Sequence, residues 1–255
     1  MPLNNAQRAL ILTRQDRLLS SLERPFRNEV AREKNRFIAE SIPYIISHRK
    51  VSDAAYEQHS ANMQAIFEKH YGRAINSFRA EVTRQAKDFI PDLELKRTHP
   101  PDFLLSVWVT KYGAARAKQT ASTTREDIRR ALQTALDAEE GVSEQALVRQ
   151  LLKARQMTRF RADAIARTET HNAAMFASKE TAKEITAETG QQLKKEWIPA
   201  TDERVREDHA RMSGHPPVGL DGVFEVGGER LDRPGDPAGS PETTINCRCV
   251  MGYSA

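Results

Sequence analysis

Residues 192–200 read QLKKEWIPA, and their reading decides the fold class. The stretch alternates in the manner of a β-strand and closes at Pro199. Everything before residue 190 repeats at helical spacing instead, with few strand signals. A chain that is helical for most of its length and then changes period is α+β. The expectation is a mostly helical N-terminal region followed by a C-terminal domain with helices and a small, largely antiparallel sheet.

Upstream, Thr158 opens a long helix that ends at Gly190. Its small residues Ala162, Ala166, Ala173, Ala174 and Ala177 allow another element to approach closely. Ser143 caps a short helix over 144–155, and Thr123 with Glu126 has the spacing of a capping box, with Gly141 as the stop. These two short helices read as a helical hairpin. Phe103, Leu104, Val107, Trp108 and Tyr112 mark another helix, after the double-proline loop RTHPPDF (97–103). Over residues 5–40, Leu10, Leu18, Leu22, Phe26, Val30 and Phe37 recur at helical spacing. Pro25 is expected to kink or divide that stretch and Pro43 to end it. Ser52 and Asp53 cap a second long helix that reaches about Ile90, before Pro91.

Downstream, TDERVREDHARMSG (201–214) reads as a short helix with Thr201 as N-cap and Gly214 past its end. GVFEVGGERL (222–231) reads as a hairpin turning at Gly227–Gly228. RPGDPAGSPETT (233–244) is a loop and INCRCVMGY (245–253) a last strand. The domain expectation is a helical region over 1–141 and a C-terminal domain over 142–255.

The chain of 255 residues is long enough to bury a core without staples. Its two cysteines exclude a disulfide framework and suit a reducing, intracellular setting. No run approaches the ~20 apolar residues of a membrane span, and no signal-peptide apolar region is present, so no membrane association is expected. Net charge is +4, but residues 1–130 hold 23 Lys and Arg against 15 Asp and Glu, whereas residues 131–255 hold 16 against 20. A basic front half can face nucleic acid or an acidic protein partner. The interleaving of its charges fits a solvated helix surface equally.

On a helix over 202–212, Asp202, Arg206 and His209 fall on one face. The spacing of Asp202 and Arg206 is also that of an ordinary surface ion pair. On an extended strand, Cys247 and Cys249 share a face with Cβ atoms about 7 Å apart, too far for a disulfide. Two readings stay open: small buried hydrophobes, or two sulfurs of a zinc site completed by His209 and Asp202 or His215. The C-x-C spacing departs from the usual zinc knuckle. Arg167, Thr168, Glu169 and His171 form a polar patch on the long helix, suited to a buried network. No phosphate loop, HExxH or GxSxG motif occurs.

In chain order these pieces are ARTETHNAA, WIPATDERVREDHARMSG, GVFEVGG and RPGDPAGSPETTINCRC. The combination resembles the C-terminal domain of phage head-morphogenesis (Mu F-like) minor head proteins, over about residues 150–252. Arg167, Glu169, Trp197, Asp202, Arg204, Arg206, His209, Asp236, Asn246 and Arg248 carry the likeness, together with Cys247 and Cys249. The resemblance implies a structural virion protein rather than an enzyme. It implies a place in the phage head near the portal after assembly in the host cytoplasm, few copies, and a role in DNA packaging or delivery. The expected partners are the portal protein, scaffold or major capsid protein, and double-stranded DNA through the basic N-terminal half. No cofactor is expected beyond the zinc alternative. Arg248 is expected to pair with Asp202, Glu203 or Glu169. The competing readings are a nuclease or ADP-ribosyltransferase-like enzyme using Arg167, Glu169 and His209, and a plain DNA-binding protein.

Overall fold

The computed structural model describes residues 2–95, 102–137, 144–156 and 158–255. The architecture is α+β, as the period change at 192–200 predicts. Helices come first: α1 (Asn5–His48), α2 (Asp53–Ala86), α3 (Phe103–Trp108), a π-helical turn (Val109–Gly113), α4 (Ala114–Leu136), α5 (Glu144–Gln156) and α6 (Thr158–Thr189). Short elements follow: β1 (Lys194–Ile198), α7 (Glu207–Ala210), β2 (Val218–Gly219), β3 (Phe224–Val226), β4 (Glu229–Leu231), α8 (Pro241–Thr244) and β5 (Val250–Ser254). Among the described residues no helix is long and apolar enough to cross a membrane.

The chain forms two compact units, each discontinuous in sequence. The first is Met1–Glu23, His70–Trp108 and Arg167–Ala255; the second is Arg24–Lys69 and Val109–Ala166. In the second unit, Phe26 meets Phe67 edge to face with centroids 5.0 Å apart, and Phe37 stacks on His59 at 4.3 Å. In the first, β1 is the centre of an antiparallel three-stranded sheet of order β2-β1-β5, and β3 and β4 form a separate hairpin. The hairpin turns at Gly227 and Gly228, both at positive φ (58° and 80°), a conformation glycine adopts without a steric penalty.

Several local expectations are corrected. Neither Pro25 nor Pro43 breaks α1, which runs through both. An internal proline costs about 3 kcal/mol. Phe26, Val30 and Ile45, all fully buried beside the prolines, offset it by packing. Thr123 and Glu126 do not start a helix. The Thr123 hydroxyl bonds back to the Gln119 carbonyl at 2.9 Å, and Glu126 pairs with Arg129 at 2.6 Å. The buried row Ala117, Ala121, Thr124, Ile128 continues across the supposed boundary at helical spacing. The α4–α5 packing does give a helical hairpin. Gly141 and Ser143 lie outside the described residues, as do positions 97–101 of the double-proline loop. Ser52 caps α2 as expected, its hydroxyl accepting from the Ala55 N–H at 3.3 Å.

Two corrections bear on the site. The helix expected over 201–214 is only α7, with Arg206 as its extended N-cap residue, so Asp202, Arg206 and His209 do not share a helix face. The last strand begins at Val250, not Ile245. Asn246 has φ 57°, a left-handed conformation that Asn tolerates, and it bends the chain before the cysteines. The extended-strand spacing of the two thiols therefore does not apply.

Candidate functional site

The site is built where the buried middle of α6 meets the chain end, within the first unit. Glu169, 7% exposed, accepts a hydrogen bond from the Tyr71 hydroxyl at 2.7 Å. His171 lies two residues further along the helix, and burial pushes its pKa down, which favours the neutral ring. Its Nε2–H donates to the Cys249 carbonyl at 2.7 Å. The Thr168 hydroxyl accepts from the Asn246 N–H at 3.1 Å, holding the left-handed bend in place. Arg167 sits more openly, 3.7 Å from Glu23 and 3.5 Å from the Asn246 side-chain oxygen. The polar patch read on this helix is thus a network tying it to the chain end.

The loop 233–239 packs against the same turn of α6. Gly235 has φ 66°, and a Cβ there would fall 2.4 Å from Asn172 Oδ1 and 2.5 Å from His171 Nδ1. Asp236 closes the loop on itself, accepting from the Asp232 N–H at 2.8 Å and the Ala238 N–H at 3.1 Å. Beside it, three cations converge on Asp232. Lys179 reaches both carboxylate oxygens at 2.7 Å, Lys195 reaches one at 2.7 Å, and Arg233 reaches the other at 3.0 Å. Burial alone would raise the Asp232 carboxyl; the hydrogen bonds from Lys179 and Lys195 outweigh it and hold it below the usual range. Burial pushes the fully enclosed Lys195 down against the same carboxylate's pull. Sequence reasoning missed Tyr71, Lys179, Lys195 and Asp232. The one available signal was a lysine placed on the strand period beside Trp197.

Of the segment 202–209, Asp202 pairs with Arg248, as expected from the sequence, on the exposed surface. Such a pair contributes only about 0–1 kcal/mol. The Arg204 side chain is exposed, and its N–H donates to Asp202 at 3.1 Å. Arg206 donates to the Ile245 carbonyl at 2.6 Å, pinning the approach to the cysteines. His209 turns inward on α7, 2% exposed, and meets Trp197 edge to face at 5.4 Å.

The cysteines come to the same histidine. Cys247 Sγ lies 3.6 Å and Cys249 Sγ 3.4 Å from His209 Nδ1, and the three atoms are all within 4.8 Å of one another. Both thiols are buried and free. They share a wall with Trp197, Met212, Phe224, Val226 and Leu231. The sulfurs are coupled: the bond from Cys247 holds the Cys249 thiol below the ordinary range, and the same bond pushes Cys247 up. Asp202 and His215 do not join the group. Asp202 is taken by Arg248, and the His215 ring packs on Phe224 at 5.8 Å with Nδ1 2.8 Å from the Pro216 carbonyl oxygen. Among the described residues, Cys247, Cys249 and His209 are thus the group placed to hold a metal.

Residues 112–252 match the family described as Phage Mu protein F like protein. The matched range includes α4 to β4, α8 and most of β5, and with them every motif residue placed above. No curated protein and no solved structure matches the chain.

Proposed function

The chain belongs to the Phage Mu protein F like family, and from that membership we propose a minor head protein that associates with the portal in few copies and assists packaging or delivery of the genome. The family places it among phage head-morphogenesis proteins, and so in the virion head. Portal association, a position inside the head near that vertex, and contacts with scaffold or major capsid protein are our extension of that placement.

The observation that carries a structural rather than catalytic reading is how the motif residues are used. Glu169 is engaged by Tyr71, His171 by the Cys249 carbonyl, Asp236 by its own loop, Arg206 by Ile245 and Arg248 by Asp202. Each binds one part of the chain to another. Arg167, Glu169 and His209, the trio a nuclease or transferase reading would need, are engaged by Glu23, by Tyr71 and by the two cysteines respectively, which favours a structural use. We assign double-stranded DNA, or an acidic portal surface, to the basic N-terminal half.

A mass-spectrometric count of proteins in gradient-purified heads from the producing host tests this. The expected result is this chain at a few copies per portal complement. Its absence from both procapsids and mature particles would remove the minor-head assignment.

A further inference from the structure

The geometry points to a zinc site: we propose that Cys247, Cys249 and His209 bind one zinc ion through their two sulfurs and Nδ1. Zn–S bonds of about 2.3 Å and a Zn–N bond of about 2.0–2.1 Å, arranged tetrahedrally, put sulfur and nitrogen about 3.6 Å apart. The observed separations are 3.6 and 3.4 Å. All three donor atoms lie within 4.8 Å of one another, so a single cation reaches every one.

Hydrogen bonding alone does not account for this convergence. An imidazole nitrogen carries either one proton or one lone pair, which serves one sulfur well. Here two sulfurs approach the same nitrogen at nearly equal range. A central cation engages all three atoms at once. Among the described residues His209 Nε2 is buried without a hydrogen-bond partner, so none of them competes to turn the ring away; coordination through Nδ1 leaves the remaining ring proton on Nε2.

The surroundings suit the metal. Thiolate and imidazole donors select zinc over the hard, oxygen-seeking cations. Residual exposures of 2%, 1% and 2% for Cys247, Cys249 and His209 keep bulk water from the bonds. The off-pattern C-x-C spacing is no obstacle, because residues 247–249 precede β5 and are not held to the extended-strand separation. Three protein donors among the described residues leave the fourth position to a water molecule. The ion would join α7 to the segment leading into β5, elements too short to hold each other by regular hydrogen bonding, and so contribute folding energy.

The test uses the full chain, purified under reducing conditions without chelator. Elemental analysis is expected to find stoichiometric zinc, and the Cys247→Ser and Cys249→Ser variants to lose it. The deciding measurement needs only the unaltered protein. Cobalt(II) added after stripping is expected to give the intense near-ultraviolet thiolate-to-cobalt absorption of a two-sulfur site, abolished by competing zinc. Cobalt bound without that absorption, or no binding at all, overturns the proposal.

Discussion

Glu33 and Lys34 are adjacent on α1, both buried in the second unit, and their environments differ. Burial works against the Glu33 charge, yet hydrogen bonds from His59 at 2.9 Å, Arg36 at 2.8 Å and Asn62 at 3.3 Å more than compensate, and its pKa falls to about 2. Lys34, 1% exposed, is pushed down to about 8, chiefly by burial and further by the Arg161 charge. The lysine is therefore a cost at neutral pH. Below pH 8 it stays protonated in both states and the folded state bears the full penalty, about 3 kcal/mol for a depression of this size. Between pH 8 and the ordinary 10.5 the unfolded chain binds more protons, so stability rises with pH. Lys34→Met should stabilise the protein by about 1–3 kcal/mol at pH 7, with the gain shrinking toward pH 10.5. Paired denaturant titrations across that range check it; a gain that does not vary with pH would mean the Lys34 charge is not what strains the unit. The sequence did not disclose this pair. Interleaved charges on a helix look alike whether solvated or enclosed, and the face they share is settled only by what packs on it.

At the scale of elements, legibility follows how local the cause is. The end of α6 was readable because Gly190, at φ 72°, is needed just past the last turn. The β3–β4 hairpin was readable because its turn requires two left-handed residues. The unbroken α1 was not, since distant aromatic packing overrides the prolines. The meeting of both cysteines with His209 was legible only as one of two alternatives, because it depends on one left-handed asparagine and on an arginine 39 positions from its carbonyl partner. The loop 233–239 lies between these cases: its Pro and Gly content marks a loop, but not its role as a wedge against α6. Gly235 makes that role testable. A left-handed non-glycine residue costs about 1–2 kcal/mol, and overpacking a filled site about 1–3 kcal/mol more. Its would-be Cβ meets His171 and Asn172, both 1–2% exposed, at 2.4–2.5 Å, so neither can retreat into solvent. Gly235→Ala should lower stability by about 2–5 kcal/mol. Gly228→Ala, at φ 80° with no neighbour within 4 Å, should cost only the backbone component, about 1–2 kcal/mol. Equal melting shifts for the two variants would rule out the wedge.

For the molecule as a whole, the chain's first residues belong to the unit that carries the family's signature. Charge and periodicity assigned the front of the chain to a helical region awaiting a partner. The structure puts Met1–Glu23 in the same compact unit as the C-terminal sheet. β1 is buried on both faces: Lys195 and Trp197 face the site, and Glu196 and Ile198 face the N-terminal segment. Glu196, 1% exposed, accepts from the Leu3 N–H at 2.8 Å and from Arg8 at 2.8 Å. Gln15 donates to the Met251 carbonyl on β5 at 2.9 Å, and Gly252 leaves room for Leu3 and Ile11. A fragment limited to the family match at 112–252 would therefore lack the cover of its own sheet and strand a buried carboxylate. Arg8→Ala isolates that dependence with a single change. Removing one partner of a largely buried, hydrogen-bonded charge pair costs about 2–4 kcal/mol, against about 0–1 kcal/mol for an exposed pair. The expected loss is in the larger range, and Glu196→Gln added to Arg8→Ala should recover part of it, because the stranded charge is gone. Chemical denaturation of the two variants beside the unaltered chain decides between the outcomes. A loss below about 0.5 kcal/mol for Arg8→Ala, with no recovery in the double variant, would mean that the first residues rest on the sheet without supporting it.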